Sequence, residues 1–587
     1  MIFLIAQHLK AFLKLWLSAV ALHLFYFQYF NNSGGNSFYL ENTPKISHQV
    51  ESFQESWCRI HRARVNLDQI LSPCFHNISW NGPSPTNREL QTDAARSMIS
   101  FFGIRPAGQF SRFSIQTKTR KGKLKHIGGD SWRVLLRGPA TVSPTMFDHR
   151  NGTYEFLFLV MDPGVYMLDI TLDYSLCEGY REPPKNWFIV GNSHGKLQKE
   201  GTLGKNRARD DYLLQPFQDG KLIMINIPLP TDGGAYLINR LHRQSRMNTQ
   251  CLSPFPNFDL TCGVECKFMW DGFGRWFGKN WRPYLTGAYL INRLHRQSRM
   301  NTQCLSPFPN FDLTCGVECK FMWDGFGRWF GKNWRPYLTD ISNHSQFKST
   351  SRKPRTLWLF GDSNAERLYV SLKDGPLCNE FFKVCNLSKM WVYPWPSIQP
   401  VAWDDKDFDP QQILDHIRGV LELPEMDENS AMILNLGLHY MESTSFANYR
   451  ILLKGVTELL NQREKKSGKL RYKTRVIWKT TTSMNKEKDI GSRLKSDWQR
   501  FLNPARVILY NTFATSLMCQ AGLEVLDVYP FTRSYPGGTG GPEVAHYKEQ
   551  DTVHFKYIAM KPIDIFLEDY FRGKVTLPID FRNYEFS

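Results

Sequence analysis

The sequence has no acidic residue in its first 40 positions, and it has no apolar run long enough to cross a bilayer with ease. Lys10 and Lys14 precede an apolar run at Leu15–Phe30. That run is shorter than the roughly 20 residues that a spanning helix needs. Ala19-Val20-Ala21 within it has the small-x-small pattern of a cleavage site. The pattern predicts a cleaved signal peptide over residues 1–30, with a signal anchor as the alternative, and therefore a secreted or Golgi-lumenal chain.

The sequence also lacks a long block of Lys and Arg with interleaved aromatics, so nothing in it favours nucleic-acid binding. A hydrophobic content of 42% and a charged content of 22% exclude wholesale disorder, collagen and a polytopic membrane protein. The formal net charge is +18, from 73 Lys+Arg against 55 Asp+Glu. This balance either aids solubility or favours acidic partners such as sialylated or sulfated glycans.

Residues Gly234–Thr286 recur letter for letter as Gly287–Thr339. Repeat folds fix only a few packing positions, so 53 consecutive identities indicate a recent duplication of one coding block or an error in a gene model. Each copy carries 7 Lys/Arg and 3 Asp/Glu, so a single-copy chain has a charge of 18 − 4 = +14 and 12 − 3 = 9 cysteines.

In an oxidising compartment the cysteines outside the second copy are expected to pair as disulfides, and because nine is an odd number, one thiol is expected to be free or to pair with another molecule. These cysteines are Cys58, Cys74, Cys177, Cys251, Cys262, Cys266, Cys378, Cys385 and Cys519. No second Cys pair or His pair follows Cys262 and Cys266 at metal spacing, so we expect no metal site. Five N-glycosylation sequons fit the same compartment. They begin at Asn31, Asn77, Asn151, Asn343 and Asn386.

The chain divides by composition into four segments after residue 30. Residues 31–74 are expected to form a luminal stem, and 75–233 a β-sandwich of short strands separated by Gly, Asn and Pro turns. Residues 234–354 are expected to be a Cys- and aromatic-rich connector containing the tandem repeat (234–286 and 287–339). The strands predicted in the sandwich are Phe113–Thr119, Leu124–His126, Trp132–Arg137, Glu155–Val160 and Val165–Leu172.

Strands alternate with helices over residues 355–587, which predicts a parallel α/β sheet covered on both faces. The predicted strands are Thr356–Phe360, Ala431–Leu434, Val476–Trp478, Val507–Leu509 and Glu524–Tyr529, and the predicted helices are Ala365–Lys373, Phe446–Asn461 and Thr512–Ala521.

Three groups of polar residues follow apolar strands of this α/β segment. Ser363 comes after the first strand, where ligands bind in open α/β sheets. A serine needs a base to take its proton, and the candidate is His554, with Asp551 three residues earlier to fix its tautomer. Asn435 and Gly437 follow a middle strand and are suited to donate hydrogen bonds to an oxyanion, whereas His439 beside them has the character of a packed residue. Gly-x-Ser-x-Gly is absent, so an α/β-hydrolase elbow is unsupported.

These motifs resemble those of the neurexophilin and PC-esterase domain (NXPE) family. Gly361-Asp362-Ser363-Asn364-Ala365-Glu366-Arg367 is similar to the GDS block of PC-esterase domains, Asn435-x-Gly437-x-His439 to their middle block, and Asp551-x-x-His554 to their closing pair. Upstream, Gly128-Gly129-Asp130 and Asp148-x-x-Asn151-Gly152-Thr153-Tyr154 resemble a neurexophilin-like module. The duplicated block departs from the family pattern, which has one copy.

The resemblance implies a three-layer, SGNH-hydrolase-like α/β domain preceded by an Ig- or neurexophilin-like β-sandwich. It implies a glycan O-acetyltransferase or O-acetylesterase with catalytic Ser363, Asp551 and His554 and an acidic acceptor sugar such as sialic acid. Asn435, Gly437 and the Ser363 N–H would hold the oxyanion, and Gly361 and His439 would belong to the same oxyanion and substrate site. Arg367 would either anchor an acidic group or sit on a solvated helix face. Acetyl-CoA would be the donor, with no tightly bound cofactor, although no glycine-rich phosphate loop is visible. The alternative is a secreted protein that binds a cell-surface partner through its sandwich, with an inactive esterase-like domain.

Overall fold

The structure is a computed structural model of the 587-residue chain. It describes residues 53–76, 78–79, 88–183, 211–229, 274–277, 280–283, 320–323, 325, 327–331, 333–336, 355–388, 409–489, 500–541 and 550–572. The predicted signal segment lies outside these ranges, as do the sequons at Asn31, Asn77 and Asn343 and the cysteines of the tandem repeat. None of the helices in the described ranges is both long and apolar enough to cross a bilayer.

Residues 53–74 do not form the stem that the sequence suggested, because the first helix in this range packs on the β-half of the chain and the second packs on the α/β-half. Helix α1 (Phe53–Ala63) buries Trp57 and Ile60, and Arg59 on it forms an ion pair with Glu155 at 2.9 Å. Helix α2 (Leu67–Leu71) follows, and Cys74 after it is disulfide-bonded to Cys177. The apolar face of α1 explains the error, since a solvated stem has no use for a buried tryptophan.

The β-half consists of two antiparallel sheets that share one apolar core. Its strands are β1 (Thr92–Gly103), β2 (Phe110–Thr119), β3 (Ser131–Arg137), β4 (Thr141–Val142), β5 (Thr145–Asp148), β6 (Thr153–Leu159), β7 (Gly164–Tyr174), β8 (Gln215–Pro216) and β9 (Ile223–Ile227). One sheet has the order β1-β2-β6-β5, and β4, β3 and β7 run through the other, with β8 and β9 both pairing with β7. Phe113 and Phe156 from the first sheet pack with Val134 and Tyr166 from the second.

The predicted strand Leu124–His126 is absent, apart from one isolated bridge between Lys118 and Leu124. The reason is Lys125, whose ammonium group is fully buried and binds Asp130 at 2.9 Å. A buried cation requires a partner, so the chain turns this side chain inward to the carboxylate instead of keeping a solvated strand. Asp130 is the last residue of the Gly-Gly-Asp turn that the sequence singled out.

The tandem repeat contributes two hairpins with one sequence and one register. The first copy forms β10 (Gly274–Phe277) and β11 (Asn280–Pro283), which pair with each other. The second copy forms β12 (Lys320–Trp323), β13 (Gly327–Phe330) and β14 (Asn333–Pro336). Strand β13 pairs with β4 of the β-half, whereas β12 pairs with β19 of the α/β-half, so the predicted connector supplies edge strands to both halves.

The α/β-half is a parallel six-stranded sheet with helices on both faces. Its own strands are β15 (Arg355–Phe360), β16 (Lys383–Ser388), β17 (Ala431–Leu434), β18 (Arg475–Lys479) and β19 (Glu524–Leu526). Its helices are α3 (Ser363–Leu372), α4 (Pro410–Leu421), α5 (Leu438–Ser443), α6 (Phe446–Leu460), α7 (Pro504–Gln520), α8 (Tyr529–Arg533) and α9 (Tyr557–Phe571). The predicted strand Val507–Leu509 is wrong, because these residues lie inside α7, whose first turn is capped by Asn503.

Alternating residues of the central strands face two separate apolar clusters, which makes this half three-layered. Met432 and Leu434 face the cluster that contains α4, α6 and α7, whereas Ala431 and Ile433 face the cluster that contains α3 and α9. The strand order is β16-β15-β17-β18-β19, with β12 added at the far edge. In this order the chain reverses direction across the sheet between β15 and β17, which is where ligands bind in doubly wound folds.

Candidate active site

The carboxyl end of β15 leads directly into the candidate nucleophile. Phe360 ends the strand, Gly361 and Asp362 turn, and Ser363 begins α3. A Cβ on Gly361 would lie 2.9 Å from the Cβ of Ala365 and 3.1 Å from the carbonyl oxygen of Asn435, so only glycine fits this close turn. Ser363 is 8% exposed, and its hydroxyl therefore lies at the edge of the folded core.

Ser363, His554 and Asp551 form a continuous hydrogen-bonded series. The Oγ of Ser363 lies 2.7 Å from the Nε2 of His554, and the Nδ1 of His554 lies 2.7 Å from the Oδ2 of Asp551. The other carboxylate oxygen of Asp551 accepts the backbone N–H groups of Val553 and His554 at 2.8 and 2.9 Å. The aspartate thus fixes the ring so that Nε2 faces the serine hydroxyl and can accept its proton.

The environment of Asp551 keeps its carboxylate ionised. Partial burial alone would raise its pKa, but the hydrogen bond and charge of His554 and the two backbone N–H groups outweigh burial and lower the pKa below its ordinary value. An ionised carboxylate at this position stabilises the imidazolium that forms when His554 takes a proton.

A second set of hydrogen bonds holds the Asp551–His554 segment in place. The hydroxyl of Thr539 donates to the carbonyl of Asp551 at 2.7 Å, and the N–H of Asn485 donates to the carbonyl of Thr552 at 2.9 Å. From the serine side, the side-chain amide of Asn364 donates to the carbonyl of Val553 at 3.4 Å. The base is therefore tied both to the loop after β18 and to the first turn of α3.

Asp362 is a functional residue of this turn whose role the sequence reasoning missed. Its carboxylate caps α3 by accepting the N–H groups of Asn364 and Ala365 at 2.9 and 3.2 Å. Because these two amides are occupied, the N–H of Ser363 is the first-turn donor that remains as a candidate for an oxyanion. The preference of aspartate for the N-cap position is the signal that would have predicted this role.

Asn435 and Gly437 follow β17, and Asn435 adjoins the serine turn. The backbone N–H of Asn435 donates to the carbonyl of Phe360 at 2.9 Å. Its side-chain amide, however, donates to the carbonyl of Lys479 at 2.8 Å and to the hydroxyl of Thr481 at 3.3 Å. The amide thus ties β17 to the end of β18, and it can donate to an oxyanion only if the longer bond to Thr481 is exchanged.

Gly437 leads into α5 where the backbone comes close to the loop after β18. A Cβ at this position would lie 2.1 Å from the hydroxyl of Thr481, so no side chain fits. His439 lies in the first turn of α5 and is buried, at 9% exposure. Gly437 and His439, like Asn435, thus lie just after the carboxyl end of β17.

Arg367 is not on a solvated helix face, which corrects one of the two readings of this residue. It is 2% exposed, and its guanidinium lies 4.4 Å from the centre of the Tyr557 ring. Tyr557 begins α9, three residues after His554, whereas Arg367 lies on the helix that Ser363 begins. The contact therefore connects the helix that begins at Ser363 with the helix that follows His554.

A buried lysine, Lys479, ends β18 near the serine turn. Burial lowers its pKa, and the charge of Asp362 opposes this effect. Burial raises the pKa of Tyr440, and the same carboxylate adds to this effect. The charge of Asp362 thus affects the pKa of both Lys479 and Tyr440, and its hydrogen bonds to α3 hold it next to Ser363.

Among the described residues, no cluster of three or more His, Cys, Asp or Glu side chains is placed to hold a metal ion. Disulfides link Cys74 to Cys177 and Cys378 to Cys385, and Cys58 and Cys519 are also disulfide-bonded. Of the two described sequons, Asn151 is exposed in the turn before β6, and Asn386 is half-buried in edge strand β16.

No protein-family model matches the chain. Among solved structures, Est24, a carbohydrate acetylesterase from Sinorhizobium meliloti, aligns with 37% of this chain and 97% of its own, at 9% identity and a TM-score of 0.22. A carbohydrate acetylesterase family member from the same organism aligns over the same shares at 12% identity and a TM-score of 0.23. The Lin-41 filamin domain aligns with 14% of this chain and 80% of its own, at 21% identity and a TM-score of 0.13. At TM-scores this low, the likeness assigns no activity to this chain.

Proposed function

We propose that this chain is a serine-dependent acyl-ester enzyme that removes an acetyl group from a glycan or transfers one to it. The observation that carries the proposal is the pair of 2.7 Å contacts that join Ser363 to His554 and His554 to Asp551. A hydroxyl, an imidazole and a carboxylate in this order are the arrangement for nucleophilic acyl transfer.

The reaction has two half-steps. The Oγ of Ser363 attacks the acetyl carbonyl while its proton passes to the Nε2 of His554, and the N–H groups of Ser363 and Gly437 are suited to stabilise the oxyanion. When the tetrahedral intermediate collapses, the bond to the leaving atom breaks, and that atom, the oxygen of an acetyl ester or the sulfur of acetyl-CoA, takes the proton from His554. Water or a sugar hydroxyl then attacks acetyl-Ser363, giving its proton to His554. The bond between the acetyl carbon and the Oγ of Ser363 breaks, His554 returns the proton to Oγ, and the acetyl group leaves as acetate or as a new ester.

The choice of a sugar as acceptor, with sialic acid as one candidate, rests on the resemblance to PC-esterase domains, and so does acetyl-CoA as donor. The basic net charge supports an acidic acceptor, since it attracts anionic glycans at long range. The disulfides support a secreted or Golgi-lumenal location, because such bonds persist in oxidising compartments.

Purified wild-type protein should react with a fluorophosphonate at Ser363 and hydrolyse p-nitrophenyl acetate. The Ser363→Ala variant should do neither, while keeping the same thermal unfolding midpoint. Glycan mass spectrometry of cells that express each form would identify the acetylated or deacetylated sugar. Equal ester turnover by the two forms would overturn the proposal and leave the alternative, a secreted binding protein that uses its β-half to hold a cell-surface partner.

A further inference from the structure

The backbone of Thr481 is held by a single side chain from the helical layer. Asn511, on α7, accepts the N–H of Thr481 with its Oδ1 at 2.8 Å and donates from its Nδ2 to the carbonyl of Thr481 at 2.8 Å. One amide thus satisfies both backbone polar groups of one residue. Thr481 is 3% exposed and Asn511 is 7% exposed, so both bonds lie away from bulk water.

Thr481 in turn touches Asn435 and Gly437, two of the residues that the sequence assigned to the oxyanion. Its hydroxyl accepts the side-chain amide of Asn435 at 3.3 Å. The same hydroxyl occupies the space that a Cβ on Gly437 would need, at 2.1 Å, so it packs directly against that backbone. Asn435 adjoins Gly361, two residues before the nucleophile. A shift of Thr481 would therefore move the donors on this side of Ser363.

A buried asparagine at position 511 is expected to destabilise α7 unless its amide is hydrogen-bonded. Asparagine is a poor residue for a helix interior, and a buried amide without partners is strongly unfavourable. Asn511 sits in the middle of α7 with Tyr510 and Thr512, which are also buried, on either side. Its two polar atoms both bind Thr481, and this explains why an amide stands where a hydrophobic residue would otherwise pack.

We propose that Asn511 is a positioning residue for the oxyanion-binding side of the site, and that it acts through Thr481 on Asn435 and Gly437. This inference rests on the proposed function, and it goes beyond that function by assigning a role to the helical layer behind the site. Asn511 positions oxyanion donors, and these donors act most strongly in the transition state. Loss of its hydrogen bonds should therefore lower kcat and leave KM unchanged.

The test compares two Asn511 variants with a matched control in the same loop. Asn511→Asp keeps the shape and one acceptor but places an oxygen opposite the carbonyl of Thr481, and Asn511→Leu removes both bonds. The control is Thr532→Val, which removes the hydroxyl that accepts the N–H of Ser483 at 2.9 Å, two residues beyond Thr481. All three variants lose side-chain support of one loop, but only the first two loosen Thr481.

With p-nitrophenyl acetate, we expect kcat of both Asn511 variants to fall by about 10- to 100-fold while KM stays within about twofold, because loss of a single oxyanion donor costs about 10²- to 10³-fold. The rate of fluorophosphonate labelling of Ser363 should fall in parallel, since that reaction uses the same donors. Thr532→Val should lower the thermal midpoint by about as much as the two Asn511 variants do, and it should leave kcat within about twofold of wild type.

Two results would overturn the inference. One is an Asn511→Asp enzyme whose kcat matches that of Thr532→Val, and the other is a rise in KM at unchanged kcat. If the wild-type protein neither turns over the ester nor labels at Ser363, the proposed function fails and the inference falls with it. An active, labelled wild type with unaffected Asn511 variants rejects the inference alone.

Discussion

The guanidinium of Arg367 lies 4.4 Å from the centre of the Tyr557 ring, and this contact joins the helix of the nucleophile to the helix that follows the base. A buried cation over an aromatic face is directional and is strengthened by exclusion of water. The 2.7 Å contact between Ser363 and His554 therefore depends on two helices, α3 and α9, which this pair holds together near their N-terminal ends.

We expect Arg367→Met to reduce kcat on p-nitrophenyl acetate by about 10-fold or more, because small displacements of catalytic groups lower rates steeply. Arg471→Met is the matched control, since Arg471 lies 5.3 Å from the Tyr472 ring but is half-exposed and distant in sequence from the triad. Equal activity in the two variants would show that the Arg367 contact contributes to folding only.

Asp551→Asn should preserve the shape of the triad while removing its charge. The amide can donate to the Nδ1 of His554 and so favours the wrong tautomer, and it cannot stabilise an imidazolium. We expect kcat to fall by about 10³- to 10⁴-fold, as measured by p-nitrophenyl acetate hydrolysis. A fall of less than about 10-fold would mean that another group orients His554.

Acid should weaken the attachment of α1 to the β-half through Glu155. Burial alone would raise the pKa of Glu155, but hydrogen bonds and charge from His149 and Arg59 lower it to about 2, from an ordinary value of 4.5. The stability that this shift provides is present above pH 4.5 and is lost as the pH falls toward 2. Its size is about 3 kcal/mol in the free energy of unfolding.

Urea unfolding at a series of pH values would measure this effect. Glu155→Gln should show a flatter acid limb than wild type, because its side chain has no proton to gain. Identical slopes below pH 4.5 would place the acid-sensitive groups elsewhere.

Removal of one copy of the tandem block should leave the fold intact. Strand β13 of the second copy fills the slot next to β4, where Trp329 donates to the carbonyl of Phe531 at 2.9 Å. A chain lacking residues 234–286 keeps this segment and loses three of its 12 cysteines. We expect an unchanged thermal midpoint and a higher yield from an oxidising compartment, because fewer thiols can mispair. A lower midpoint would assign a structural role to the first copy.

Periodic apolar runs were enough to predict the central strands and several helices of the α/β-half. Val476–Trp478 and Phe446–Asn461 lie within one or two residues of the observed β18 and α6. Val507–Leu509 misled because three apolar residues fit a buried strand as well as a buried helix, and the capping residue Asn503 four positions earlier decides for the helix. Short strands such as β4 carry too few residues for any period to show.

The site residues whose chemistry is evident from residue type could be predicted from the sequence. The residues that act through a tertiary hydrogen bond could not. Ser363, Asp551 and His554 stood out because a nucleophile, a carboxylate and an imidazole have few other reasons to follow strand ends. The roles of Asn511 and Thr481 required the position of α7 against the sheet, which no local pattern encodes. The sequence does contain one indication of this part of the site, a run of three polar threonines directly after β18, Thr480-Thr481-Thr482.

The second-copy segment pairs with β4 through one of its strands and with β19 through another. Heating should accordingly unfold the β-half and the α/β-half together, and calorimetry should record a single peak. A fragment carrying only residues 355–587 would lack β12 and would expose the unpaired edge of β19, which favours self-association. We therefore expect that the α/β-half does not fold as a separate module.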